Sequence, residues 1–220
     1  MAAGRGDRLG GPYPKAFAKL RDRPLLAESL ERLDASDWIE GIVAVAPPEW
    51  EEPVILLAEE VSAGKVTASV TGGETRAESV ALGVAEVPDQ AAVILVHDAA
   101  RPLLGADVIE RVVLGLEEGW DGAVPALPVA DTLKRASGEA VAETVDRAGL
   151  HAAQTPQAFL ADVLRRALAA RADDASDCAG LVEAAGGRVR LVPGDPRLAK
   201  VTSPEDLAFV EALLPPPDAE

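Results

Sequence analysis

Ala91-Ala92-Val93-Ile94-Leu95-Val96-His97-Asp98 is an unbroken apolar run that ends on a histidine and a carboxylate. An apolar run of this kind, without polar alternation, is buried on both faces, as in the middle of a parallel sheet. In open α/β sheets ligands sit beyond the carboxyl ends of the strands, which makes Asp98 the first residue to inspect. Followed by Ala99-Ala100-Arg101-Pro102, it suits a Mg²⁺ ligand, because Mg²⁺ near phosphates takes one or two protein carboxylates. The structural alternative is a helix N-cap with Arg101 as its salt-bridge partner. His97 reads as a buried supporting group rather than a catalyst.

Outward from that strand the chain alternates. The pattern predicts helices from Pro24 to about Leu33, near 50–60, from about Ala77 to Ala85, near 106–117, around 159–170 and from Pro204 to Leu214. Strands are predicted at Gly41–Ala46, Val66–Val70, Gly122–Leu127 and Arg188–Val192. The expectation is a single α/β domain over 1–220 with a doubly wound, mostly parallel, Rossmann-like sheet. The tail Pro215-Pro216-Pro217-Asp218 is expected to be disordered. From Pro128 to Thr155 the alternation breaks, and a turn at Ser137-Gly138 between two β-rich arms predicts a projecting hairpin. Such an arm cannot bury both faces on its own domain, so pairing with a second subunit is expected.

Composition narrows the partners. A net charge of −16 on 220 residues argues against nucleic acid or an anionic membrane, either of which requires a basic field. No apolar run of about eighteen residues exists to span a membrane, and Cys178, the only cysteine, fits a reducing cytoplasm. Small anions remain possible where basic residues meet turns. Met1-Ala2-Ala3-Gly4-Arg5-Gly6-Asp7-Arg8 reads as a phosphate-binding turn, with Gly4 and Gly6 admitting an anion and Arg8 supplying charge. Lys15 and Lys200 stand near other turns, although either alone reads as a solvated charge. The opening loop, the Gly72-Gly73 turn, Asp98 and Thr132 all fall at strand ends, in one crevice.

These segments carry a family resemblance. The opening loop with Pro14-Lys15, Gly72-Gly-Glu-Thr-Arg-Ala-Glu-Ser-Val80, Val96-His-Asp-Ala-Ala-Arg-Pro102, Pro128-Val-Ala-Asp-Thr-Leu-Lys134, Gln154-Thr-Pro-Gln157 and Lys200-Val-Thr-Ser-Pro-Glu-Asp-Leu207 resemble the 2-C-methyl-D-erythritol 4-phosphate cytidylyltransferases, in order and through nearly the whole chain. The resemblance implies transfer of CMP from CTP to a sugar-alcohol phosphate in the non-mevalonate isoprenoid pathway. It implies Arg8, Lys15, Arg147 and Lys200 as catalytic residues. Ala2, Ala3, Gly4, Gly6, Gly73, Arg76, Ser79 and Ala99 would border the nucleotide, and Asp98 would hold Mg²⁺ or another divalent cation. Arg101, Thr132, Arg147, Ser176 and Lys200 would surround the acceptor. The arm would reach across a homodimer, so that Thr132 and Arg147 serve the partner's site.

The chain departs from the family pattern at three places. Cys178 stands where an acidic residue is usual and reads as a small helix residue without a chemical role. Leu198 and Ala199 replace polar support ahead of Lys200. The apolar strand that precedes the Ala-Ala-Gly loop in the family is missing, and the expectation is that Met1 marks a misplaced start within a longer natural chain. The alternatives are a ribitol 5-phosphate cytidylyltransferase and, from another class, a non-catalytic nucleotide-binding protein.

Overall fold

The computed structural model describes residues 1–4, 9, 13–170 and 175–215, so Gly6, Arg8 and the tail beyond Pro215 lie outside the described residues. After a short 3₁₀ turn at Lys15–Phe17, β1 (Lys19–Leu20) and β2 (Arg23–Pro24) form a small hairpin. The alternation follows as α1 (Leu25–Asp34), β3 (Ile42–Ala46), α2 (Glu51–Glu60), β4 (Val66–Thr71), α3 (Arg76–Ala85), β5 (Val93–Val96), α4 (Ala106–Leu114) and β6 (Gly122–Pro128). The arm is β7 (Leu133–Ser137) and β8 (Ala140–Val145), and β9 (His151–Ala153) returns along β6. The chain closes with β10 (Gln157–Leu160), α5 (Ala161–Ala169), α6 (Cys178–Ala184), β11 (Val189–Pro193) and α7 (Pro204–Ala212).

The core sheet runs β11-β6-β10-β5, and β3 pairs with β4 in parallel. β11 is parallel to β6, whereas β10 lies antiparallel to both β6 and β5. The expectation of a doubly wound, mostly parallel fold therefore holds, with two antiparallel strands in the core sheet, β9 on β6 and β10 between β6 and β5, of which β10 was concealed in the sequence pattern. Gln157–Leu160 has Ala158 and Phe159 both fully buried, on opposite faces of the sheet, so it shows no alternation and merges with the helix that starts at Ala161. Leu26, Leu30, Val54, Ile109 and Val112 cover one face from α1, α2 and α4. Val80, Val84, Leu164, Leu181 and Val182 cover the other from α3, α5 and α6. α3 lies so close to β3 that a Cβ on Gly83 would meet Val45 Cγ2 at 2.6 Å.

Met1 and Ala2 stand between β3 and β5. The Ala2 N–H donates to the Val45 carbonyl at 2.7 Å, the Met1 ammonium donates to the His97 carbonyl at 2.8 Å, and the Ala99 N–H donates to the Met1 carbonyl at 3.1 Å. These two residues stitch the β3–β4 pair to the larger sheet at the strands' carboxyl ends. Behind them, a cavity of about 810 Å³ separates the facing edges of β3 and β5 and is lined by Leu30, Ile42, Val45, Val84, Val93 and Leu95 among others.

The arm projects as expected, with Leu133 opposite Val145 and Gly138 at φ 60° in the turn. Val141 on it is 63% exposed. The guanidinium of Arg21 still holds the Pro215 carbonyl at 2.7 Å, so the chain is anchored to that point.

The slot between β3 and β5 makes a prediction about stability. An engineered extension of five β-branched residues fused ahead of Met1 is expected to pair with both edges, each newly buried side chain contributing about 1.5–3 kcal/mol. Chemical denaturation measures this, and an unchanged midpoint would show that the slot cannot take a strand.

Candidate active site

The site forms where β5 ends. Asp98 is only 8% exposed, and a carboxylate so placed requires compensation. The Lys200 ammonium sits 2.6 Å from Oδ2, and the Arg76 guanidinium donates to Oδ1 at 3.4 Å. The buried α-ammonium of Met1 adds further positive potential. Burial alone would raise the Asp98 carboxyl, but these cations overcome it and hold the group well below the usual carboxylate range. The Met1 ammonium is itself pushed below its ordinary value by burial, which Asp98 partly opposes.

Arg76 is positioned by the helix it starts. Thr75 caps α3 in a reciprocal capping box with Glu78. The second arm of the Arg76 guanidinium donates to Cys178 Sγ at 3.4 Å. The expectation that Cys178 has no chemical role is therefore corrected: its buried sulfur, at the start of α6, is the other anchor of Arg76. Burial opposes the charge on Arg76, but Cys178 and Asp98 together leave its guanidinium above its ordinary value.

Three loops around Asp98 are tied by one short segment, Gln154–Gln157. The Gln154 amide exchanges two hydrogen bonds with the Asp195 backbone, at 2.9 and 3.0 Å. Thr155 Oγ1 accepts the Asp98 N–H at 3.0 Å and lies 3.2 Å from His97 Nδ1. Gln157 donates to Asp177 at 2.7 Å, while Asp177 caps α6 through the Gly180 N–H. The motif was visible in sequence, but none of these polar roles was, because each connects residues distant along the chain.

His97 is neutral in this network. Its Nδ1 faces the Thr155 hydroxyl, and Nε2 lies 3.2 Å from the Arg101 carbonyl, which assigns the proton to Nε2. Burial first, then the Met1 ammonium, pull its pKa down to about 4. It supports the loop, as its place in the sequence suggested.

The other expected site residues divide by location. Ala2, Ala3, Gly72, Gly73, Arg76 and Ser79 are gathered on one wall. A Cβ on Gly72 would meet Ala3 Cβ at 2.5 Å and Ser79 Oγ at 2.9 Å, so only glycine allows this approach. Ser79 Oγ donates to the Gly73 carbonyl at 3.3 Å and fixes the turn. Ala2 and Ala99 have their N–H groups engaged within the sheet, so they shape the site rather than donate to a ligand. Gly4 is exposed beside this wall, and Lys15 opens the 3₁₀ turn.

Arg101 does not pair with the Asp98 carboxylate, and α4 starts from Gly105 instead, so the N-cap alternative fails. The Arg101 guanidinium instead donates to the carbonyls of Leu198 and Ala153. Thr132 and Arg147 stand at the base of the arm, exposed, and Ser176 is exposed just ahead of the α6 cap. No hydrogen bond or ion pair joins these three to the Asp98 cluster among the described residues.

A glycine-lined wall, a helix N-terminus bearing Arg76, and a strand-end carboxylate balanced by lysine are the features of a nucleotidyltransferase. The sequence matches the 2-C-methyl-D-erythritol 4-phosphate cytidylyltransferase family over residues 1–215, and the chain belongs to that family. Enzymes of that name from Saccharopolyspora erythraea and Rubrobacter xylanophilus are 46% and 44% identical over 218 residues, covering 97% of this chain and 96% and 92% of theirs. The crystal structure of the Thermus thermophilus 2-C-methyl-D-erythritol 4-phosphate cytidylyltransferase is similar, with a TM-score of 0.78 at 35% identity. It covers 90% of this chain, which covers 93% of it. A second structure, of a 4-diphosphocytidyl-2C-methyl-D-erythritol synthase, has a TM-score of 0.79 at 36% identity and 92% coverage both ways.

The neutrality of His97 gives a pH prediction. Its folded pKa of about 4 lies below the ordinary value of 6.5, so the unfolded chain binds the extra proton between those values. Stability is then intact above pH 6.5 and declines as pH falls toward 4, by on the order of 3 kcal/mol in all. Denaturation at pH 7 and pH 5 tests this, and His97→Gln should flatten the decline. An equal decline in the variant would assign it to other groups.

Proposed function

We propose that the Asp98 cleft carries the family's reaction, transfer of CMP from CTP to 2-C-methyl-D-erythritol 4-phosphate with release of pyrophosphate, in isoprenoid precursor biosynthesis. The observation that supports this most directly is the convergence of Lys200 and Arg76 on Asp98 beside the Gly72–Ala3 wall. The attacking atom is a phosphate oxygen of the acceptor, already ionised at neutral pH. No protein base is required, and catalysis reduces to positioning and charge neutralisation.

In this reading Ala2, Ala3, Gly4, Gly6, Gly73, Arg76, Ser79 and Ala99 border the nucleotide. Arg8 and Lys15 neutralise charge at the α-phosphate and the departing pyrophosphate. Arg101, Thr132, Arg147, Ser176 and Lys200 receive the acceptor, with Arg147 and Lys200 aiming its phosphate. Asp98 fits a divalent cation such as Mg²⁺, since one carboxylate completed by substrate phosphates is an ordinary donor set for that ion. When bound, the cation would screen the phosphates' mutual repulsion. The exposed arm supports a homodimer in which Arg147 serves the neighbouring site, and the chain's composition supports a cytoplasmic setting without nucleic-acid or membrane partners.

Pyrophosphate release from CTP with Mg²⁺ and each alcohol phosphate tests the assignment. Turnover is expected with the methylerythritol phosphate, and turnover with ribitol 5-phosphate alone would overturn it. Nucleotide binding without turnover would favour a non-catalytic role. Lys15→Ala and Arg8→Ala are each expected to lower kcat by roughly 10²–10³ with little change in thermal stability.

The shared site is tested by mixing inactive variants. If Arg147 acts across the dimer, equal amounts of Arg147→Ala and Lys200→Ala protomers, co-refolded, regain about a quarter of wild-type activity through one intact composite site per heterodimer. No recovery in heterodimers shown to form would place Arg147 in its own protomer's site.

A further inference from the structure

We propose that Lys200 is an exchangeable counter-ion. In the ligand-free protein its ammonium occupies the cation position on Asp98, and it leaves that carboxylate when a divalent cation loads. The proposal rests on the reading of Asp98 as the cation's ligand.

Both carboxylate oxygens of Asp98 are engaged, Oδ1 by Arg76 and Oδ2 by Lys200. A divalent cation on either oxygen is repelled at close range by the cation already there, so loading favours the departure of one of them. Arg76 is the more firmly held, because Cys178 Sγ takes its other nitrogen and the capped first turn of α3 carries its backbone. Lys200 makes no other hydrogen bond among the described residues, and its side chain is 42% exposed against 30% for Arg76. A lysine ammonium is compact, strongly hydrated and carried on four flexible methylenes, so its release to water is easier than that of a forked guanidinium.

The backbone around Lys200 stays in place when the side chain moves. The Val201 N–H donates to the Ala100 carbonyl at 2.8 Å, Arg101 holds the Leu198 carbonyl, and the side chains of Leu198 and Val201 are fully buried. Only the lysine stem is free to swing. Its departure without a replacement would leave a buried carboxylate short of positive charge, so release is coupled to the arrival of the cation. The same ammonium then becomes available to an acceptor phosphate only once the cation is seated.

Two readouts other than turnover test this. In Mn²⁺ titrations followed by electron paramagnetic resonance, with α,β-methylene-CTP present, Lys200→Gln is expected to tighten Mn²⁺ by at least about fivefold. Lys19→Gln, the same charge change at an exposed position of β1, should leave affinity unaltered. In acylation mapped by peptide mass spectrometry, Lys200 should react several-fold faster when Mn²⁺ and the analogue are added, and equally fast without them in Asp98→Asn. Equal tightening in both lysine variants, or no gain in Lys200 reactivity on loading, overturns the exchange while leaving the cation site standing. Unchanged Mn²⁺ affinity in Asp98→Asn overturns the cation site itself, and the exchange with it.

Discussion

A carboxylate at 8% exposure is the constraint from which the site is built. Asp98 cannot remain ionised there without positive partners, and its side-chain partners come from distant parts of the chain, the first turn of α3 and the loop before α7. Each of these elements is therefore located by the same charge. The arrangement orders the crevice before any ligand arrives, because a displaced Lys200 or Arg76 would expose the cost of the buried anion.

Neutral hydrogen bonds complete what charge begins. Gln154, Thr155 and Gln157 face three different loops and bond the Asp195 backbone, the Asp98 N–H and the Asp177 carboxylate in turn. Thr155 is central among them, since its oxygen lies between the Asp98 amide and the His97 ring. His97 in turn stays neutral and does not compete for the negative charge of Asp98. Arg101 fastens the walls as well, through the Leu198 and Ala153 carbonyls.

Much of this architecture could be read along the chain. The run at Ala91–Val96 announced β5, Ser137-Gly138 announced the arm, and the boundaries of α1, α2 and α3 fell within a residue or two of expectation. β10 escaped because four residues buried on both faces carry no periodicity of their own. Among site residues, Arg76 and Lys200 meet at Asp98, and Ser79 fastens the Gly73 turn. Cys178 was missed. Its role is not signalled by residue type, since a thiol becomes an acceptor only beside a guanidinium. The alternative pairing of Arg101 with the Asp98 carboxylate, suggested by adjacency in sequence, is not formed in the turn after β5.

The overall charge of −16 and the chemistry of joining two phosphate anions are in apparent conflict. Distance resolves it. Surface carboxylates more than about 8 Å away are largely screened at physiological salt, whereas Lys200 and Arg76 act over a few ångströms in a partly desolvated cleft. The local field at the crevice is thus decided by its few cations and by whether Asp98 is neutralising them. Lys200 is engaged by Asp98, which cancels its charge, and under the proposed exchange a divalent cation taking over that task would return the lysine's charge to the cleft. On the proposed exchange, the same acidic chain repels anions in general while becoming receptive to one phosphate at one place.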